Sequence, residues 1–350
     1  RKRLTFKVLF RYFIYMDTLF RRVLTFAANN SLFSPGERLL IAVSGGADST
    51  FLLHFLASVA PEKKIRLRVA YIHHHLRPEA DRELEFVKKL CLSRSLPFSC
   101  RHLHLPNRSS LENQARLARY AALAGIARQT RCQAIATGHT LDDQAETVLM
   151  RILRGCGLAG LRGILPFAPC LPRCPVPVVR PLLVVTRQEI EKFLREKNLP
   201  FLQDASNFSP EFFRNKIRHE IIPFLEKSSP RLKYHLARTS LLARDDFQIL
   251  EREAESAKTC LCRKEKNRLF LDRRGYLLLP AGIQRLLLSL ILCEITGCPY
   301  RRFSQLETIR QIISLGKQME FSLPNSLKLT VKPERVIFAK KLTEKAAVVK

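Results

Sequence analysis

Arg38-Leu39-Leu40-Ile41-Ala42-Val43-Ser44-Gly45-Gly46-Ala47-Asp48-Ser49 is the stretch on which the fold of this chain turns. The apolar run from Leu39 to Val43 shows no alternation, which reads as a short strand over 38–43 buried on both faces. Gly45 and Gly46 then let the backbone turn tightly and approach a ligand with no Cβ in the way. A helix over 50–59 follows, so its free amides and the positive end of its dipole point into the turn. That combination makes residues 44–49 (Ser44, Gly45, Gly46, Ala47, Asp48, Ser49) a candidate phosphate site. It is not a Walker A loop, since the motif's Lys is missing, nor a G-x-G-x-x-G dinucleotide turn. Asp48 is unusual beside phosphates. A carboxylate there makes sense with Mg²⁺ between the two, because Mg²⁺ pairs one or two carboxylates with phosphate oxygens. The competing reading is that Ser44 and Asp48 merely cap the helix.

Outward from this loop, a helix over 17–33 precedes the strand, with Ser34-Pro35-Gly36-Glu37 as a turn. Strands over 66–72, 97–105 and 134–137 alternate with helices over 78–93, 111–128 and 141–154. This alternation predicts βαβ units and an α/β fold with a parallel sheet. Ligands in such sheets bind at the carboxyl ends of the strands. Six prolines (Pro166, Pro169, Pro172, Pro175, Pro177, Pro181) predict an extended, irregular connection. Helices follow over 187–197 and up to Pro223. Beyond Pro230 the pattern changes to long amphipathic helices over 232–256 and 283–295, a basic helix over 303–315 and short terminal strands. The division expected is therefore 16–226 as the sheet domain and 227–350 as a smaller, mainly helical C-terminal domain.

The chain has 350 residues, and 60 Lys+Arg against 31 Asp+Glu leave a formal charge of +29. Solubility needs far less, so the excess points to a polyanionic partner, most simply a nucleic acid, or to an anionic membrane surface. With 46% hydrophobic and 26% charged residues the composition is ordinary for a globular protein, which excludes wholesale disorder. No stretch approaches the ~18 uninterrupted apolar residues of a membrane helix, and no membrane partner is expected. The ten cysteines include no C-x-x-C, which speaks for reduced thiols and a cytoplasmic setting over zinc ribbons or disulfides. Residues 1–15 are basic and acid-free and precede Met16, which reads as an upstream leader or cropped tail.

A second motif, Thr137-Gly138-His139-Thr140-Leu141-Asp142-Asp143-Gln144-Ala145-Glu146-Thr147, sits at the end of the 134–137 strand. Asp142 and Glu146 are i,i+4 and share a helix face, where two carboxylates can hold Mg²⁺ or a substrate ammonium. Asp143 has a second reading as the N3 residue of a capping box on Thr140. Arg214 and Arg218 are also i,i+4, and guanidiniums suit phosphates and base edges. Arg116 and Arg119, and Arg151 and Arg154, read either as phosphate contacts or as plain surface.

The S-G-G-x-D-S turn after a buried strand resembles the pyrophosphate (PP) loop of the N-type ATP pyrophosphatases. The continuation Leu149-Met150-Arg151-Ile152-Leu153-Arg154-Gly155-Cys156-Gly157-Leu158-Ala159-Gly160-Leu161 resembles the tRNA(Ile)-lysidine synthetase family more narrowly. So do Leu111-Glu112-Asn113-Gln114-Ala115-Arg116 with Arg119-Tyr120, Asp204-Ala205-Ser206-Asn207, and Phe213-Arg214-Asn215-Lys216-Ile217-Arg218-His219-Glu220-Ile221-Ile222-Pro223. These blocks run in family order from about 38 to 226. The resemblance implies a short form without the second C-terminal domain of long members. One run departs from the family pattern. At Tyr71-Ile72-His73-His74-His75-Leu76-Arg77, His73 stands where an acid is usual and His75 where a glycine is. Strand alternation puts His73 and His75 on one side, close to phosphate or RNA rather than as metal ligands.

The resemblance implies a two-step reaction. The C2 oxygen of the wobble cytosine in a CAU-anticodon tRNA(Ile) attacks the α-phosphate of ATP, and the ε-amine of free L-lysine then attacks C2 and expels AMP. Expected roles follow: Ser44–Ser49 for ATP, Asp48 for Mg²⁺, and Asp48, Asp142, Asp143 and Glu146 for catalysis. Asp142, Asp143 and Glu146 are also the candidates for lysine or Mg²⁺, and Arg116, Arg119, Arg151, Arg154, Arg214 and Arg218 for tRNA. Tyr120 and Phe213 are candidate platforms for the unstacked base. Two alternatives stand beside this, another PP-loop tRNA-modifying enzyme such as a thiolase, and a non-catalytic RNA-binding protein with a decayed site. Oligomeric state is left open, a homodimer included.

Overall fold

The computed structural model describes residues 18–73, 80–103, 111–172, 174–203, 213–266, 268–297, 303–315, 318–323 and 327–340. Helix α1 (Thr18–Asn29) leads into β1 (Arg38–Ala42), α2 (Ala47–Lys63), β2 (Arg66–His73), α3 (Ala80–Leu92), β3 (Phe98–His102), α4 (Leu111–Gln129), β4 (Ala134–Ala136) and α5 (Leu141–Leu153). A single helical turn, α6 (Leu158–Leu161), precedes the paired strands β5 (Phe167–Pro169) and β6 (Pro177–Val179), and α7 (Arg187–Glu196) follows. The sheet order is β3-β2-β1-β4-β6-β5, parallel throughout except that β5 runs antiparallel to β6.

Leu39, Leu40 and Ile41 are all fully buried, and consecutive residues face opposite layers. Leu39, Ile41, Val69, Tyr71 and Val179 pack with α1, α2, α3 and α7 on one face. Leu40, Ala70, Ile72, Ile135 and Val178 pack with α4 on the other. Burial on both faces is why β1 reads as an unbroken apolar run. The proline-rich connection contains more order than its composition suggests. Val178 and Val179 of β6 pair with Ile135 and Ala136 of β4, so two residues between prolines join the sheet. Pro177 opens that strand, a position where a missing amide costs little.

After α7, residues 213–228 form a broken helical run: α8 (Phe213–Lys216), a π-helical turn over Ile217–Ile221, and α9 (Ile222–Ser228). The long helix α10 (Leu232–Leu261) follows. The chain divides into two compact units, Arg1–Leu241 and Leu242–Lys350, so the division falls inside α10 and later than the expected 226. The cause is packing, because Leu225 and Leu236 lie against a cluster of Ala145, Leu149, Ile217 and Ile222 that belongs to the sheet unit.

The second unit contains more strand than its helical sequence pattern predicts. Strands β7 (Cys262–Glu265), β8 (Arg268–Asp272), β9 (Met319–Leu323), β10 (Leu327–Val331) and β11 (Arg335–Lys340) form one antiparallel sheet in the order β7-β8-β11-β10-β9. Helices α11 (Arg273–Leu278), α12 (Ala281–Thr296) and α13 (Phe303–Leu315) share its core, in which Leu269, Leu271, Leu288, Ile309, Leu329 and Phe338 are buried. No helix among the described residues is long and apolar enough to cross a membrane.

Candidate active site

Strands β1 and β4 are adjacent and parallel, and the chain leaves β1 for a helix on one side and β4 for a neighbour on the other. This is the topological switch point at which open α/β sheets bind ligands. Both sequence motifs lie there. In the first loop Gly45 has φ +91°, a conformation that L side chains rarely adopt. The Ser49 hydroxyl accepts from the Ser44 amide at 3.1 Å and donates to the Gly46 carbonyl at 3.0 Å. Thr50 Oγ1 donates to the Gly45 carbonyl at 3.1 Å. The Leu202 amide also donates to Gly45 O at 2.9 Å, so a second segment braces the loop from outside. Gly138, in the second loop, lies against the first. A Cβ on it would meet the Asp48 carbonyl carbon and the Ser49 nitrogen at 3.1 Å, closer than ordinary contact.

Helix α5 begins at Thr140, whose amide donates to Asp143 Oδ2 at 2.9 Å, so the capping reading of Asp143 holds. Its other oxygen accepts from Arg214 Nη2 at 2.9 Å. Glu146, only 2% exposed, takes Arg214 Nε at 2.9 Å and Arg218 Nε at 2.6 Å. The carboxylates that share partners are thus Asp143 and Glu146, at i,i+3, and not the i,i+4 pair Asp142 and Glu146. Asp142 faces elsewhere: Oδ2 accepts from the Arg187 amide at 2.7 Å, and Oδ1 lies 3.0 Å from Lys233 Nζ. Asp48 Oδ2 takes Arg187 Nε and Nη2, both at 3.1 Å. Asp48 Oδ1 is buried with no partner among the described residues.

Four carboxylates therefore stand against four cations: Arg187, Lys233, Arg214 and Arg218. Burial pushes the Asp48 carboxyl up to about 7, Arg187 opposes the rise, and Asp143 and Asp142 add to it. Burial also works against charge on Asp143, yet Arg214 and the Thr140 amide hold its carboxyl below the usual range. The His139 ring, beside Thr137 Oγ1 at 2.9 Å, is pushed down by burial to about 3 and is neutral. Asp48 Oδ1 is a hard oxygen left unmatched beside a phosphate-type turn, which fits Mg²⁺.

Arg214 and Arg218, expected to face tRNA, are turned inward onto Asp143 and Glu146. Arg151 donates Nη1 to the carbonyls of Gly160 and Gly163, both at 2.8 Å, and so shapes the chain after α5. Arg154 lies over the Phe213 ring at 5.3 Å, and Phe213 is 40% exposed, as a base platform must be. Arg116 and Arg119 are exposed on α4. Tyr120 is a core residue, 5% exposed, and offers no such platform. His73 is buried, its Nε2 3.1 Å from Asp81 Oδ1 and its ring 4.9 Å from that of His102. His74, His75 and the run from Asp204 to Asn207 lie outside the described residues.

Arg187 and Lys233 were not singled out by sequence reading. Thr186-x-x-Glu189 is a capping box that marks Arg187 as the first residue of a helix, a signal that was available. Lys233 carried none, since its partner is 91 positions away (233 − 142) and only folding brings the two together.

Residues 16–225 match the family of PP-loop domains. A tRNA(Ile)-lysidine synthase from Geobacter sulfurreducens is 34% identical over 345 residues, covering 94% of this chain and 70% of the relative. Another from Gloeobacter violaceus is 38% identical over 255 residues, covering 73% of this chain and 76% of the relative. Among solved structures, the U34-tRNA thiolase NcsA from Methanococcus maripaludis superposes with a TM-score of 0.53 at 20% identity, covering 65% of this chain and 78% of that one. That likeness is one of fold.

Proposed function

The chain belongs to the tRNA(Ile)-lysidine synthase family of PP-loop proteins, and on that premise we propose that it joins L-lysine to the wobble cytidine of a CAU-anticodon tRNA(Ile). It is an ATP-dependent ligase acting on tRNA. The observation that carries the finer reading is the meeting of two loops at neighbouring strand ends, one shaped for phosphate and one bearing three carboxylates.

In the first step the cytosine C2 oxygen attacks the α-phosphate of ATP, and pyrophosphate leaves. The Ser44–Ser49 turn and the α2 amides stabilise charge on the leaving group. Asp48, with its unmatched Oδ1, would hold Mg²⁺, which when bound neutralises further phosphate charge. In the second step the lysine ε-amine attacks C2 and AMP departs. The amine has a pKa of about 10.4 in solution, so the site must take a proton from it before attack. Asp142, Asp143 and Glu146 are the carboxylates available to bind the ammonium and accept that proton. Each is neutralised by an arginine or lysine, which removes the cost of leaving it charged and unpaired. Arg154 and Phe213 offer a stacking surface for the extruded base.

Incubating the protein with tRNA, ATP and labelled lysine, then digesting the tRNA to nucleosides, tests the reading. Label in a modified cytidine, formed only with ATP present, is expected. AMP release with no label in the nucleosides would point to a different acceptor chemistry.

A further inference from the structure

Arg187 ties the two loops of the site together. Its guanidinium holds Asp48 Oδ2 through Nε and Nη2, and its backbone amide holds Asp142 Oδ2. It does so from the first residue of α7, whose start is locked by Thr186 and Glu189 through reciprocal hydrogen bonds. The side chain is 29% exposed, so it reaches the open side of the site and is not sealed in the core. Nη1 has no partner among the described residues.

The charge balance around the turn gives this position its meaning. The turn carries no lysine or arginine of its own, and Asp48 sits within it. Asp142, Asp143 and Glu146 stand on the neighbouring loop and helix. A triphosphate approaching these acids needs a cation in contact with the turn. Arg214 and Arg218 are committed to Asp143 and Glu146, and Lys233 to Asp142 and Glu226. Arg187 alone of the four cations touches an acid of the phosphate turn.

We propose that Arg187 is a phosphate-binding residue of the nucleotide site, held on Asp48 while the site is empty and transferred to the pyrophosphate oxygens of ATP when nucleotide binds. The inference rests on the nucleotide reading of the turn. Neither group would be left without a counter-charge: Asp48 would hold a divalent cation in place of the guanidinium, and the phosphates receive a planar fork that matches two oxygens at once. A lysine would retain the charge and lose the fork.

The test uses the full chain and three ligands, ATP with Mg²⁺, pyrophosphate with Mg²⁺, and adenosine. Binding is measured by calorimetry for the wild type, Arg187→Met and Arg187→Lys. Arg187→Met is expected to weaken ATP and pyrophosphate on the order of tenfold or more, with adenosine unchanged. Arg187→Lys is expected to fall between. In turnover, KM for ATP should rise in Arg187→Met while KM for lysine stays the same. Wild-type pyrophosphate affinity in Arg187→Met would overturn the proposal. Equal losses for adenosine and pyrophosphate would also overturn it, since they would mean that the side chain only holds the loops in place. If Arg187→Met does not fold, Arg187→Lys decides: lower pyrophosphate affinity with adenosine unchanged supports the role, and unchanged pyrophosphate affinity ends it. A wild-type protein that binds neither ATP nor pyrophosphate would instead remove the nucleotide reading itself.

Discussion

Asp48 is the residue whose chemistry depends most on its surroundings. Its carboxyl is raised from 3.8 to about 7, first by burial. The folded protein therefore holds a proton that the unfolded chain releases, and stability falls as pH rises from about 4 to about 7. At about 1.4 kcal/mol per pH unit the ceiling is roughly 4 kcal/mol. Asp48→Asn removes this penalty, so its melting temperature relative to wild type should improve between pH 5 and pH 8, measured by calorimetry without ligands. A difference that is flat with pH would mean that Asp48 is ionised throughout. The same variant should bind tRNA and fail to form AMP. Glu146 behaves in the opposite sense, because it is buried and paired with two guanidiniums. Glu146→Gln leaves them short of a charge, which typically costs about 3–5 kcal/mol when such a pair is broken. Urea unfolding should show a lower midpoint, and surviving activity should need more lysine with little change in the ATP requirement. An unchanged midpoint would show that the pair carries no net stabilisation.

At the scale of elements, the site exists because the loops after β1 and β4 touch. Gly138→Ala is the sharpest probe, since the added Cβ would press on the Asp48–Ser49 backbone and not on a flexible side chain. Overpacking of this kind costs about 1–3 kcal/mol, and it displaces the turn that binds phosphate. ATP affinity should drop well before the protein loses its fold, as read by calorimetry beside circular dichroism. Wild-type ATP affinity would show that the two loops move independently. The π-helical turn over Ile217–Ile221 is a second device at this scale. Such turns recur at functional sites because they reset the register of a helix face. Here the turn contains Arg218 while Arg214 lies in the α-helical turn before it, and both guanidiniums reach the same two carboxylates.

For the whole molecule, the excess of 29 positive charges is the dominant property. Arg187, Lys233, Arg214 and Arg218 are spent on internal carboxylates, and Arg310 of α13 is paired with Glu307. Arg119 on α4 is exposed and open to a polyanion. Binding of tRNA should therefore weaken steeply with salt, by about 0.7–0.9 log units per log of salt for each phosphate contacted. Affinity measured across a salt series checks this, and a flat series would mean that the charge serves another end.

The parallel sheet, the phosphate turn and the carboxylate loop were all legible in the sequence, because each is a local pattern. An apolar run, a Gly-Gly turn and a Thr-x-x-Asp cap report on their own neighbourhoods, and β–α alternation fixes the side of the sheet on which loops gather. The short strand β6 was hidden, since prolines crowd the segment around it and only pairing with β4 makes it a strand. The antiparallel sheet of the second unit was only partly visible, because β8 and β11 are far apart in sequence and stabilise each other after they meet. Which acid would pair with which base was beyond any local pattern. Asp142 turns to Arg187 and Lys233, and Asp143 joins Glu146 on Arg214 and Arg218, because α7, the π-turn and α10 converge on α5 from distant parts of the chain. Ion pairs depend on distance in space, and at separations of 45 to 91 residues (187 − 142 and 233 − 142) only the tertiary structure sets that distance.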